Sequence, residues 1–99
     1  MAIELIIAPE VKIDVSEAYQ WYEKQRFGLG EEFLSCLDAS VQKICRSPEM
    51  YPKVYENYRR GMLRRFPYAV FYEYVGSRVY VYSVFHTSKN PKKWRERLP

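Results

Sequence analysis

Tyr68-Ala69-Val70-Phe71-Tyr72-Glu73-Tyr74-Val75-Gly76-Ser77-Arg78-Val79-Tyr80-Val81-Tyr82-Ser83-Val84-Phe85 is the stretch whose reading decides the fold. Two runs of alternating β-branched and aromatic residues, Tyr68 to Val75 and Arg78 to Phe85, flank the dipeptide Gly76-Ser77. Glycine takes the positive φ that a tight two-residue turn demands, so the pattern predicts a β-hairpin closed there. Pairing about that turn sets Val75 opposite Arg78, Phe71 opposite Tyr82 and Tyr68 opposite Phe85. One face then carries Tyr68, Val70, Tyr72, Val79, Val81 and Phe85 and is expected to meet the core. The other holds Phe71, Glu73, Arg78, Tyr80, Tyr82 and His86, the single histidine of the chain. Basic segments enter and leave the hairpin: Arg59, Arg60, Arg64 and Arg65 before it, Lys89, Lys92, Lys93, Arg95 and Arg97 after it.

Upstream, Ala2 to Ala8 alternates Ile3, Leu5 and Ile7 with Glu4 and Ile6, a short strand that Pro9 ends. Pro9 also opens a helix, because its missing N–H would be unpaired in the first turn. Val11, Val15, Ala18 and Tyr22 then recur at helical spacing until Phe27-Gly28-Leu29-Gly30, so the first helix is predicted over Pro9 to Arg26. Trp21 and Tyr22 are expected to pack on the second helix or the sheet. That second helix, Gly30 to Arg46, presents Phe33, Leu37, Val41 and Ile44 as one stripe, and the short connection predicts an antiparallel helical hairpin. Ser47 to Pro52 breaks the helix. Val54 to Asn57 and Met62 to Phe66 read as strands, with Tyr58-Arg59-Arg60-Gly61 as the turn or bulge between them. After the hairpin, Asn90-Pro91 reads as an N-cap and first residue of a last short helix reaching about Leu98. The predicted class is α+β, β-α-α-β-β-β: a small, mostly antiparallel sheet packed against an N-terminal helical hairpin, with strand one available for parallel pairing.

At 99 residues the chain has room for one domain, 1–99, and one modest core. Its net charge of +4 is the sum of two unlike halves: residues 1–49 hold five Lys/Arg against nine Asp/Glu (−4), residues 50–99 eleven against three (+8). Such polarity suits an acidic peptide, an acidic protein surface or a polyanion. No apolar run is long enough to span a membrane and no signal-peptide pattern is present, so the protein is expected in the cytoplasm. Cys36 and Cys45 lie nine residues apart on one helix, which sets them on opposite sides and about 13 Å apart along the axis, too far to bridge. With one histidine and no CxxC spacing, neither a metal site nor a cofactor is expected.

Ala18-Tyr19-Gln20-Trp21-Tyr22, Gly28-Leu29-Gly30-Glu31-Glu32-Phe33, Pro48, Arg64-Arg65-Phe66-Pro67-Tyr68 and Val84-Phe85-His86-Thr87-Ser88-Lys89-Asn90-Pro91-Lys92-Lys93-Trp94 together resemble the RelE/ParE toxins of bacterial type II toxin–antitoxin systems. The resemblance covers nearly the whole chain. It implies a small basic, growth-inhibiting protein of the plasmid-stabilisation type, held in check by a cognate acidic antitoxin that wraps it. RelE-type members cut messenger RNA on the ribosome; ParE-type members poison DNA gyrase without being nucleases. The two long helices and Phe66-Pro67-Tyr68 are similar to the ParE type, whereas the arginine usual inside the central strand of the nucleases is replaced by Tyr68-Ala69-Val70.

Metal-independent RNA cleavage would need a base on the 2′-hydroxyl, an acid at the leaving oxygen and a cation on the phosphoryl group. His86 could fill one of the first two roles and Arg65 the last, and no residue stands out for the remaining one; the competing reading of His86 is a cap on the strand end. The arginine fork pairs with carboxylates at two points, so Arg59, Arg60 and Arg64 are expected at an antitoxin or target interface, joined by Lys89, Lys92, Lys93, Trp94 and Arg95 from the tail. Within the tail, Trp94 is expected to pack with the charges outward. Three functions remain open: a gyrase poison, a ribosome-dependent endoribonuclease, and a non-toxic basic binding module of the same fold.

Overall fold

The computed structural model describes residues 3–98. In chain order it contains β1 (Glu4–Ile7), α1 (Pro9–Gln25), α2 (Leu29–Arg46), β2 (Lys53–Tyr55), β3 (Tyr58–Met62), β4 (Tyr68–Val75), β5 (Arg78–His86) and α3 (Pro91–Arg97). The predicted hairpin is present: β4 and β5 turn at Gly76, whose φ is 62°, and Val75 faces Arg78. The sheet runs β1-β5-β4-β3-β2, with β1 parallel to β5 and the other pairs antiparallel. The α1–α2 hairpin covers one face of this sheet and α3 covers part of the other.

The expected register holds from the turn to Tyr72, which faces Val81, and then slips. Phe71 pairs with Ser83 and Tyr68 with His86, leaving Tyr82 as an extra residue in β5. The slip inverts every later side chain. Val84 turns to the helices beside Val70, while Phe85, expected in the core, joins Ala69, Phe71 and Trp94 in a separate cluster on the other face. His86, expected on that other face, moves to the helix side against the ring of Tyr68, 5.3 Å between centroids. Burying Val84 and turning Ser83 away from the aliphatic core is the physical gain: a straight register would do the reverse.

A second correction concerns Arg59 and Arg60. They lie inside strand β3, not in a turn; the turn is at Glu56-Asn57, with Glu56 at φ 50°, and the segment expected as a strand from Met62 to Phe66 is a loop beyond Met62. Gly61 permits this course, because a Cβ there would sit 3.0 Å from Ile44 Cδ1 where α2 crosses the strand.

The helices fall within a residue of their predicted bounds. α1 ends at Gln25 with an extended Arg26 as its C-cap, α2 starts from a left-handed Gly28, φ 88°, and the Glu23 carboxylate caps α2 by accepting from Gly28 N at 3.0 Å and Gly30 N at 2.9 Å. Phe33 and Ile44 are fully buried, and Tyr22, Phe33, Phe66 and Tyr68 interlock at centroid distances of 4.9–6.0 Å. Trp21, expected to pack, is instead 57% exposed. α3 starts as predicted, with Asn90 Oδ1 accepting from Lys92 N at 2.9 Å, and Trp94 stacks on Phe71 at 4.6 Å.

One buried polar group ties these layers together. Asp14 of α1 accepts from Val84 N at 3.1 Å and from both terminal nitrogens of Arg97 at 3.0 Å. β1 pairs with β5 only as far as Val81, so the Val84 N–H on this edge has no strand partner and the carboxylate supplies the acceptor. Among the described residues no helix is long and apolar enough to cross a membrane.

Candidate functional site

Three surfaces concentrate side-chain chemistry. On the open face of the sheet, the side turned from α1 and α2, Tyr82 lies between Tyr58 (5.5 Å, edge to face) and Tyr80 (6.4 Å, stacked), and its hydroxyl donates to Glu73 Oε1 at 3.2 Å. Burial, reinforced by the Glu73 charge, pushes the Tyr82 phenol up to about 12, so it remains a neutral donor at any physiological pH. Arg78 pairs with Glu4 at 2.9 Å at one end of this face, and α3 covers the other. Cross-strand packing accounts for the tyrosines without a ligand.

Of the sequence-predicted cations, Arg60 stands on this face opposite Phe71, and Arg64 is exposed in the loop that follows β3. Among the described residues neither side chain has an ion pair or hydrogen-bond partner. Arg59 points the other way and is occupied, donating to the carbonyls of Tyr51 (2.6 Å) and Glu49 (3.1 Å), which pins the loop between α2 and β2. Lys92, Lys93 and Arg95 are exposed along α3, with the Arg95 guanidinium over the rings of Tyr55 (5.1 Å) and Trp94 (5.4 Å). Trp94 is buried, as expected for a packing residue.

Arg65 and His86 do not share a site with this cluster. Arg65, in the left-handed region at φ 71°, donates to Glu32 Oε1 at 2.7 Å, and Arg26 holds Oε2 of the same carboxylate at 2.7 Å. The hydrogen bonds from Arg65 and Arg26 hold the Glu32 carboxyl below its ordinary range, and Glu32 in turn pushes Arg65 further up. His86 Nδ1 accepts from Ser88 N at 3.0 Å and lies 2.7 Å from Ser88 Oγ, so the neutral ring carries its proton on Nε2. That is the strand-end cap set against catalysis in the sequence reading.

The second surface is the cleft of about 480 Å³ that His86 lines together with Glu17, Trp21, Tyr68 and Lys89. The third is a groove of about 490 Å³ lined by Val11 and Val15 of α1, Leu34, Leu37 and Val41 of α2, and Ile7 at the β1 edge. This groove explains why Leu37 and Val41, members of the predicted α2 stripe, are only partly buried. Sequence reasoning missed Asp14 and Glu17. Asp14 follows Val11 by three residues and so belongs to the buried stripe of α1, a signal that was there to be used.

The family model described as the ParE toxin of the type II toxin–antitoxin system parDE matches residues 5–91. The chain belongs to the ParE toxin family. Solved structures agree at the level of fold. The chromosomal ParDE toxin–antitoxin system of P. aeruginosa aligns with TM-score 0.66 at 14% identity, over 88% of this chain and 98% of that one. A mutant E. coli toxin RelE, solved in complex with an antitoxin RelBc peptide, aligns with TM-score 0.62 at 17% identity, over 100% of this chain and 97% of that one. No curated protein sequence matches the chain. As a ParE-family toxin, the protein carries its chemistry on the three surfaces above, and the two residues expected to cooperate in RNA cleavage are engaged with different partners.

Proposed function

We propose that this toxin acts by binding and poisoning DNA gyrase, with no chemical step of its own, and that a cognate acidic antitoxin neutralises it. The observation that carries this reading is the slip at Tyr82. It turns His86 to the helix side, where Nδ1 is occupied by Ser88, while Arg65 is tied to Glu32. The proton carrier and the cation that a nuclease would aim at one phosphate therefore lack a common open surface. The cations whose heads have no partner among the described residues, Arg60, Arg64, Lys92 and Lys93, suit contact with a large acidic or phosphate-bearing partner.

The antitoxin segment is proposed to set apolar residues in the α1–α2 groove and to run on toward Arg60 and Arg64 with its carboxylates, ordering as it binds.

Growth inhibition by single variants tests the target reading. Removing the tail after Pro91 would also remove the Trp94 stack and the Arg97–Asp14 pair, so charge reversal is the cleaner perturbation. A gyrase poison keeps most of its toxicity in His86→Gln and loses it in Lys92→Glu with Lys93→Glu. A nuclease gives the opposite pair of results: a folded, inert His86→Gln protein and a toxic charge-reversed one.

A further inference from the structure

The cleft between α1 and the end of β5 has a composition that neither gyrase poisoning nor antitoxin wrapping requires. One wall is a chain of rings: Trp21 meets Tyr22 edge to face at 5.1 Å, Tyr22 meets Tyr68 at 6.0 Å, and Tyr68 meets His86 at 5.3 Å. Trp21, more than half exposed, forms the open end of that wall. Two donors and an acceptor line the same cleft: the donors are the Nε2–H of His86, left over once Ser88 has taken Nδ1, and the ammonium of Lys89, which lies 5.0 Å above the Phe85 ring. The acceptor is Glu17, whose carboxylate makes no hydrogen bond or ion pair among the described residues and whose charge adds to the burial that holds the Tyr68 phenol above its ordinary value. Asp14 also borders the cleft but is already neutralised by Arg97.

These groups narrow the class of ligand. Glu17 and Lys89 cancel, so the cleft attracts neither a polycation nor a polyanion. The Val84 N–H on this edge is spent on Asp14, which takes one backbone donor away from an extended peptide. What fits is one flat polar head that stacks on an exposed ring, offers N–H groups to a carboxylate and a carbonyl acceptor to His86, and carries a single anionic group for Lys89. The volume of about 480 Å³ suits a ligand of that size.

We propose that this cleft binds a purine nucleotide, with the base stacked on Trp21 and the phosphate on Lys89, and that it prefers guanine. Guanine presents two adjacent N–H donors that a carboxylate such as Glu17 accepts together, with O6 left to accept from His86, whereas adenine lacks that donor pair. The nucleotide is either free or the end of a single strand; both present the same chemistry. The site lies at the β5 edge beside α1, and neither Arg60 nor the α3 lysines line it, so it stands or falls independently of the gyrase reading.

The test is titration of the full chain with GMP, AMP, guanosine, inorganic phosphate and a short single-stranded DNA ending in guanine. It is read by calorimetry on the wild type and by fluorescence in Trp94→Phe, where Trp21 is the sole tryptophan. The expected result is saturable GMP binding with Trp21 quenched, AMP about tenfold weaker, and no signal from phosphate alone. Trp21→Ala should weaken GMP by about 5- to 150-fold, the range for losing one stacked base. Glu17→Gln should erase the GMP-over-AMP preference, and Lys89→Ala should weaken GMP while leaving guanosine unchanged. The DNA arm separates the sources: binding tighter than GMP assigns the site to a strand end, and equal or weaker binding assigns it to the free nucleotide. Absence of saturable binding to every nucleotide by calorimetry would overturn the proposal, as would GMP binding that Trp21→Ala leaves intact in a protein with unchanged circular dichroism.

Discussion

Arg97→Met is expected to cost about 3 kcal/mol of folding stability, although Arg97 sits in the last turn of a seven-residue helix at the end of the described chain. Its guanidinium makes both of its bonds to Asp14 at 3.0 Å, and the Asp14 side chain is only 7% exposed against 25% for Arg97. Removing the cation leaves a buried carboxylate with Val84 N as its one donor, a situation that typically costs 3–5 kcal/mol; the partial exposure of Arg97 places the loss at about the low end. Methionine keeps the apolar stem over the Phe85 ring, so the loss reports the charge rather than the packing. A domain of this size has about 5–10 kcal/mol in all, and with a urea m-value of about 1–1.5 kcal/mol/M the midpoint should fall by about 2–3 M. Asp14→Asn retains an acceptor for Val84 N and removes the buried charge. In that background Arg97→Met should therefore cost less than about 1 kcal/mol. Urea unfolding followed by circular dichroism on the four proteins of this cycle checks the pair. A loss below about 1 kcal/mol in the wild-type background, or equal losses in both backgrounds, would refute the idea that this ion pair clamps α3 to α1.

Alkaline stability gives a second test. Tyr72 is fully buried with its hydroxyl donating to Pro48 O at 2.7 Å, and burial pushes its phenol from 10.0 to about 12. The fold thus favours the protonated form: this contribution is intact below pH 10 and is lost as pH rises toward 12. Two pH units correspond to about 2.7 kcal/mol, so wild-type stability should fall about 2–3 kcal/mol further than that of Tyr72→Phe across this window in urea melts. For the antitoxin, replacing Arg60 and Arg64 together by glutamate should weaken the complex by about 100-fold or more in calorimetry while circular dichroism stays unchanged. Unchanged affinity would remove the basic strand and loop from the interface.

The central hairpin was legible because Gly76-Ser77 and the flanking alternation agree, and the helical hairpin because Gly28 and Gly30 stop one apolar period and start another. Parallel pairing of the first strand followed from its long helical crossover. The slip at Tyr82 was hidden by residues that look acceptable in either register. Its trace is Ser83 where the Val79-Val81 alternation calls for an apolar residue, followed by Val84 one place late. That single residue decides the face on which His86 emerges, so strict alternation places the one histidine on the wrong face of the sheet. The sequence places Arg59 and Arg60 in a turn or bulge, between two runs that read as strands. In a strand they point to opposite faces, one to loop carbonyls and one to the open sheet. Asp14 escaped because its partner lies 83 positions away in sequence, a distance over which charge patterning carries no signal.

The central claim is that the toxin inhibits by binding gyrase and performs no cleavage of its own. Its most direct test is to incubate the purified chain with gyrase, ATP and supercoiled plasmid, and in parallel with ribosomes translating a defined message. The account predicts cleaved plasmid accumulating with gyrase in proportion to added protein, abolished by Lys92→Glu with Lys93→Glu, and an intact message. Unaltered gyrase activity together with cuts in the ribosome-bound message, lost in His86→Gln, would contradict it.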